Sequence, residues 1–567
     1  MSRAAFAVLL CLLFWAAPVG AGAARDAALP LTSMYPAPGL FEQAIGKAAQ
    51  AGHQPVATRV TGIAVPHHLL AADLIAEGFF RLRNQQYDRV VLLCPDHFLR
   101  GKTPVSTTRR SFRTALGLVE ADREWVSRLA ALDLVSESNL FSHEHGAQAQ
   151  LPFVARFFPQ ARVVPLAIKA NAGKEELEPL FAELSRLLRV DGEHTLVVQS
   201  TDFSHYLTPA ESRVADQETL RLLAPGDPDL AWQLEQPRHV DSRAAQYLQL
   251  RLQREVFQAG LRVAARRDSG DYGCPPSGES TSYMVHVYTQ DGAAQVLPKD
   301  VPRFFFAGDA FFGRHLAPFL APLPDKEESR ANLCALASSL TGGAPLILNL
   351  EGALQDSCPP TDNPFTLCME RAAALDILGR LNVRAASLAN NHSHDLGDGA
   401  YAATRETLAL AGILPLEHGA LTDMGPFTLA ALTDIDNNAE PRYRRISEAD
   451  LDFLDQAPEN KPLFALVHWG EEYSPAPGPR EEKLQARLRK HGVEFTLGCH
   501  SHRASALACE TGGCVQHSLG NFVFDQYGPR VSGALLEVAF FPGGVYFPRL
   551  VPLPNLYQQL ARTKGAD

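Results

Sequence analysis

The chain has 567 residues, enough for two large domains or several small ones. Hydrophobic residues make up 46% and charged residues 20%, which excludes a disordered, collagenous or coiled-coil chain as a whole. Its 52 Lys and Arg against 63 Asp and Glu give a net charge of −11 with no long basic run, which argues against nucleic acid as a partner.

The N-terminus has the pattern of a cleavable secretory signal over 1–24. Arg3 precedes an apolar stretch over 4–17, and Ala21-Gly22-Ala23 is a small-residue cleavage site. The apolar stretch is shorter than the ~20 residues a membrane span needs. No later segment reads as a span, so the mature protein is expected to be exported, soluble and periplasmic. Nine Cys are present, and Cys11 leaves with the signal. Cys358 and Cys368 flank a Pro-rich loop, and Cys509 and Cys514 bracket a hairpin turn. In an oxidising compartment these pairs read as two short disulfides, the alternative being four free thiols. Cys94, in an apolar strand, reads as a core residue. The absence of any C-x-x-C excludes a zinc ribbon or a thioredoxin-type site.

Along the first half, strand patterns over 89–93, 162–168, 195–199 and 283–288 alternate with helical patterns over 69–83 and 174–188. A polar, Pro-punctuated stretch near 290–302 divides the chain. Domains are expected over 30–295 and 300–567. The second half repeats the alternation, with strand patterns at 304–307, 346–350, 385–388, 463–467, 494–497 and 515–519. Both halves therefore read as α/β, with mostly parallel sheets covered by helices.

In such sheets, ligands bind beyond the carboxyl ends of the strands. Three strand patterns of the first half run directly into His67, into Asp96-His97 and into Asp202-Phe203-Ser204-His205. Any one of these is compatible with a solvated loop His. Three at equivalent positions point to a metal site. The polar run Ser142-His143-Glu144-His145 could add a further His or an outer carboxylate.

These motifs, Pro66-His67, Pro95-Asp96-His97, Glu144-His145-Gly146 with Gln150-Leu151-Pro152, and Ser200 through Tyr206, resemble the Memo family, annotated in bacteria as AmmeMemoRadiSam system protein B. The resemblance covers roughly 61–288. It implies a fold like that of class III extradiol dioxygenases and one iron or copper ion held by His67, His97 and His205, with His145 and Asp202 nearby. The chain departs from the family at Phe98, often a second His there, and in the His239-Val240-Asp241-Ser242 region, which lacks a Cys. Metal binding is thus a firmer expectation than dioxygenation.

In the second half five strand patterns end in potential ligands: Asp309, Glu351, Asn390-Asn391-His392, His468 and His500-Ser501-His502. Singly, each has a turn or strand-face explanation. As an ordered set they suit two divalent ions about 3.5–4 Å apart, the arrangement that hydrolyses phosphoesters. A carboxylate bridges two cations, and His and Asn complete the shells without overcharging them.

Gly308-Asp309 with Gly313-Arg314, Asn349-Leu350-Glu351-Gly352, Asn390-Asn391-His392, His468-Trp469-Gly470, His500-Ser501-His502 and Ser518 through Asp525 resemble the CapA family of poly-γ-glutamate and capsule synthesis proteins. The resemblance runs over about 304–526 and implies a calcineurin-like metallophosphoesterase sandwich. It places two divalent ions (Mn, Fe or Zn) with Asp309 and His502 on the first, Glu351 bridging, and Asn391, His468 and His500 on the second. It gives His392 the part of general acid or phosphate orienter, and Arg314 that of an anion clamp. The family's first Asp-x-His is here Asp309-Ala310-Phe311.

The expectation is an exported metal-dependent hydrolase acting on an envelope or capsule polymer or a small phosphoester, joined to a Memo-like metal-binding domain. Two other readings fit the same residues: a metal-dependent oxidoreductase whose second half binds substrate, and a non-catalytic envelope assembly factor.

Overall fold

A computed structural model describes residues 29–275, 278–290, 301–321, 323–435 and 445–562. The expected signal segment and most of the expected linker lie outside them. Among the described residues no helix is long and apolar enough to cross a membrane.

The first half is built on one eight-stranded sheet. Its strands are β1 (Val60–Val65), β2 (Arg89–Asp96), β3 (Val105–Thr107), β4 (Val135–Glu137), β5 (Arg162–Lys169), β6 (Thr195–Ser200), β7 (Gly260–Asp268) and β8 (Ser282–Thr289). The order across the sheet is β7-β8-β1-β6-β2-β5-β3-β4. The central strands β1, β6, β2 and β5 are parallel, and β7 and β8 add an antiparallel edge. Alternation along the strands feeds both faces: in β2, Val91 and Leu93 enter one core, while Val90, Leu92 and Cys94 enter the other. Cys94 is a core residue, as expected.

The second half is a two-sheet sandwich. One sheet contains β9 (Arg303–Ala310), β10 (Leu346–Leu350), β11 (Val383–Ser387) and β12 (Leu414–Leu416). The other contains β13 (Ala420–Asp423), β14 (Thr428–Thr433), β15 (Leu463–His468), β16 (Val493–Cys499), β17 (Leu507–Glu510) and β18 (Gly513–Gln516). Strand β19 (Asn521–Val523) pairs with β9, and β20 (Gly533–Phe540) and β21 (Tyr546–Leu553) extend the first sheet in the order β12-β11-β10-β9-β20-β21. The second sheet runs β13-β14-β15-β16-β18-β17. Phe306, Ile347, Phe464, Leu466, Phe495 and Leu536 meet between the sheets. The alternate residues Phe305 and Ala307, or Ala465 and Val467, face outer cores. The strand expected over 515–519 begins and ends earlier, because Cys509 and Cys514 stand opposite each other in the β17–β18 hairpin and set its register. Both expected disulfides, Cys358–Cys368 and Cys509–Cys514, are formed.

The two halves share a core. Ala539, Phe541, Val545 and Phe547 pack into the hydrophobic cluster that holds Leu220, Leu223 and Val263. Helix α1 (Pro209–Leu223) sends Gln217 to the backbone of Tyr546, accepting at 2.8 Å and donating at 3.1 Å. On the same helix, Arg221 pairs with Glu494. Glu537, on β20, is enclosed by Arg262 at 2.8 Å, Arg549 at 3.0 Å and Arg303 at 3.4 Å. Arg262 and Glu537 are 3% and 2% exposed, so neither charge has water to fall back on.

Glu537→Ala removes the carboxylate shared by three arginines at a buried junction and should cost about 3–5 kcal/mol. Urea unfolding should then show both halves weakened together; loss confined to one half would contradict a common core. His286, on β8, is fully buried with neither ring nitrogen hydrogen-bonded, and burial lowers it from 6.5 to about 3. Below the unfolded value the unfolded chain takes up a proton that the folded chain refuses. Stability should therefore drop by about 1.4 kcal/mol per pH unit as pH falls through that window. His286→Leu should remove this part of the acid loss, read as the difference between the two proteins' pH–stability curves.

Candidate metal centres

In the second half, the ends of β9, β10, β15 and β16 converge at one rim of the sandwich. Asp309, Glu351 and His468 are buried, and each offers one ligand atom within 4.8 Å of the others'. His468 Nε2 lies 2.8 Å from Asn391 Oδ1, 3.1 Å from His500 Nδ1 and 3.8 Å from Glu351 Oε1. His502 Nδ1 lies 3.5 Å from Asp309 Oδ2. All six expected ligands are thus brought to one place, from two different sheets. His500 and His502 both have left-handed backbone, with φ of 95° and 56°, and the His500 amide donates to Asp309 at 3.0 Å. Strained conformations of this kind persist where the surroundings enforce them. Gly308 lets the chain pass close by: a Cβ there would sit 1.8 Å from the Gly520 carbonyl.

Two asparagines to which sequence reading gives no role belong to the same cluster. The Asn349 side-chain amide donates to Asp309 at 2.8 Å and to Glu351 at 3.3 Å, and lies 3.1 Å from His468 Nδ1. Asn521 Oδ1 lies 2.7 Å from His502 Nδ1. Asn349 was within reach of pattern reasoning, because it stands two residues before Glu351 on the same strand run.

The electrostatics fit a cation. Burial, and then the neighbouring Asp309 carboxylate, hold Glu351 well above the usual carboxylate range. Burial, then His500, hold His468 well below the usual imidazole range, and burial lowers His500 to about 3. Imidazoles whose pKa is lowered, beside crowded carboxylates, form a donor set suited to divalent ions.

His392 stands beside this cluster with its Nδ1 2.9 Å from Asp395 Oδ2. Asp395 in turn accepts from the Leu367 amide at 2.8 Å. Arg314 is engaged elsewhere. Its guanidinium grips Asp525 at 2.6 and 3.0 Å and the Pro364 carbonyl at 2.5 Å. As an anion clamp it would act only through the N–H groups left over.

In the first half, His67, Asp202 and His97 follow the ends of the adjacent parallel strands β1, β6 and β2. His67, His97 and His145 offer ligand atoms within 4.8 Å of one another. His145 joins His67 and His97 in that group; His205 is not among the three, but it lies close enough to His67 and Asp241 to act on both electrostatically, with its Nδ1 2.5 Å from the Phe203 carbonyl. Asp202 Oδ1 accepts from the His67 amide at 3.0 Å, while its Oδ2 lies 3.5 Å from His67 Nε2. Glu144 Oε1 lies 2.6 Å from His97 Nδ1. Burial, reinforced by His97, lowers His67 well below its usual range and His145 to about 4. Burial and the adjacent Asp241 raise Asp202 to about 8. Asp241, to which sequence reading gives no role, is the surprise of this site: it reaches in from a loop some forty residues after Asp202, with no strand end to mark it.

The crowding of Asp309 and Glu351 has a measurable consequence. Without metal, Glu351→Gln removes a costly buried acid and should raise the melting temperature. With Mn(II) added, wild type should gain stability and overtake the variant. Parallel behaviour of the two proteins in chelator and in Mn(II) would contradict a cation role for Glu351.

Comparison with known proteins accounts for both halves. The Memo-like protein family matches residues 38–271, and the bacterial capsule synthesis protein PGA_cap family matches 303–423 and 432–526. A MEMO1 family protein of Aquifex aeolicus is 30% identical over 152 residues, covering 26% of this chain and 40% of its own length. One from Methanosarcina acetivorans is 26% identical over 174 residues, covering 30% and 64%. The capsule biosynthesis protein CapA of Bacillus anthracis is 37% identical over 88 residues, covering 15% and 21%. The chain therefore spans between a fifth and just under two thirds of the length of these relatives. It joins a Memo-like domain to a CapA-like domain of the PGA_cap family.

Proposed function

We propose that this protein is an exported, metal-dependent hydrolase of the phosphoesterase type, active in envelope or capsule polymer metabolism. Its chemistry lies in the CapA-like half, and the Memo-like half is a second metal-binding domain. The observation that carries this reading is the convergence of Asp309, Glu351, Asn391, His468, His500 and His502 at one buried rim. Divalent ions held by these residues would supply a hydroxide nucleophile and neutralise charge on phosphoryl oxygens.

The remaining residues divide the work around that centre. Asn349 spans Asp309 and Glu351 and fixes the spacing of the two carboxylates. Asp395 orients His392 through Nδ1, leaving Nε2 to hand a proton to a leaving group. Export is supported by the N-terminal signal pattern and by two disulfides, which persist in oxidising compartments. The acidic net charge favours a small or terminal phosphate over a long polyanion spread across the surface.

The full-length protein with Mn(II) should hydrolyse p-nitrophenyl phosphate or its diester. Glu351→Gln should lower kcat by about 100-fold or more, the order lost when a charge-stabilising group at a reacting centre is removed. His392→Ala should slow esters of poor leaving groups most, within the roughly 10²–10⁴-fold range of general acids. Undiminished turnover in Glu351→Gln, or none in metal-loaded wild type, would overturn the reading.

A further inference from the structure

We infer that Asp241 is a direct metal ligand, making the first-half centre a carboxylate–imidazole site for a divalent ion of the iron(II), manganese(II) or zinc(II) class. The inference rests on the reading of the first half as a metal-binding domain and adds a ligand to it. Each imidazole of the His67 and His97 pair already has one nitrogen occupied.

His97 has its Nδ1 2.6 Å from Glu144 Oε1, and Glu144 also accepts from the amides of His97 and Gly146 at 3.1 and 3.0 Å. His67 has its Nδ1 3.3 Å from the Ser200 hydroxyl. The outer nitrogen of each ring is thus spoken for, and the inward atom is Nε2. Asp241 Oδ2 lies against both inward atoms, 3.2 Å from His67 Nε2 and 3.9 Å from His97 Nε2.

A carboxylate that only orients a metal-bound His grips the nitrogen turned away from the metal. Glu144 does this for His97. Asp241 does the opposite, facing the lone pairs that a cation would draw on.

Asp241 is also held in place for the task. It accepts from the Asp202 amide at 2.9 Å and from the Thr201 hydroxyl, and its side chain is 8% exposed. Directly behind it, helix α2 (Arg243–Leu252) starts from the Ser242 cap. The position is therefore rigid. Two imidazoles and a carboxylate on one side of a site are the donor set of divalent iron-type centres, whereas monovalent copper favours thiolate or thioether.

The test uses full-length protein carrying Asp309→Ala and His468→Ala, which disables the second centre, and Co(II) as the probe. This protein should bind one Co(II) with a visible ligand-field band. Asp241→Asn, which keeps the shape and hydrogen-bonding capacity of the side chain, should weaken binding by more than the roughly 10–100-fold loss typical of an outer partner. Glu144→Gln should lose no more than that. Asp241→Cys should bind Co(II) with a new near-ultraviolet thiolate-to-cobalt charge-transfer band, which arises only if the side chain at 241 touches the metal. Co(II) binding to Asp241→Cys without that band, or wild-type affinity in Asp241→Asn, would overturn the assignment of Asp241 while leaving the His site standing. Absence of Co(II) binding before any change at 241 would overturn both.

Discussion

Buried carboxylates need a counter-charge. Asp309 and Glu351 lie buried at one rim of a sandwich whose interior is rich in Phe and Leu, and no Lys or Arg pairs with either of them among the described residues. What surrounds them is Asn349 and the imidazoles of His468, His500 and His502. The Asn349 amide, donating to both carboxylates, softens the repulsion without cancelling it. Asp309, Glu351 and His468 form a donor set compatible with a metal ion. The left-handed backbone at His500 and His502 and the close approach at Gly308 follow from the same demand, since each serves to bring a ligand from one sheet to the rim of the other.

The first-half site meets a related constraint differently. There, Asp202 and Asp241 face His67, His97 and His145, so acids and bases balance more nearly. Burial pushes the carboxyls up and His67 and His145 down, while hydrogen bonding to Glu144 and the field of Asp241 outweigh burial at His97 and raise it. The two centres share a rule: ligands follow strand ends, where parallel strands deliver successive loops to one edge. They also share a scaffold, because β20 and β21 of the CapA-like half are seated in a core built partly by the Memo-like half, with Glu537 held among three arginines at the junction.

Sequence reading reached much of this, for physical reasons. His67, His97, Asp309, Glu351 and His468 stand within a few residues of a strand end, so strand periodicity alone places them at the edge. The i, i+2 spacing of His500 and His502 reads as one side of an extended run, whereas the strand ends at Cys499 and left-handed backbone at both residues brings them to the site. Periodicity does not say which strands pair, so the division of β9–β11 and β15–β16 between two sheets was not legible. Asp241 comes from a loop with no strand to mark it, while His145, which the polar run offers as a further His, opens a short helix. Arg314 reads as free for substrate until Asp525, more than two hundred residues away, is seen to hold it. Glu537 sits in an apolar strand where a lone acid reads as solvent-facing; only the fold reveals Arg262 opposite it.

If the chain carries two separate metal centres, both should hold Mn(II) in one crystal. Anomalous diffraction from crystals of the full-length protein grown with Mn(II), with data on both sides of the manganese edge, tests it most directly. The account predicts anomalous peaks among Asp309, Glu351 and His468 and between His67 and His97. Crystals with Mn(II) in the mother liquor but no peak at the Asp309–Glu351 cluster would contradict it.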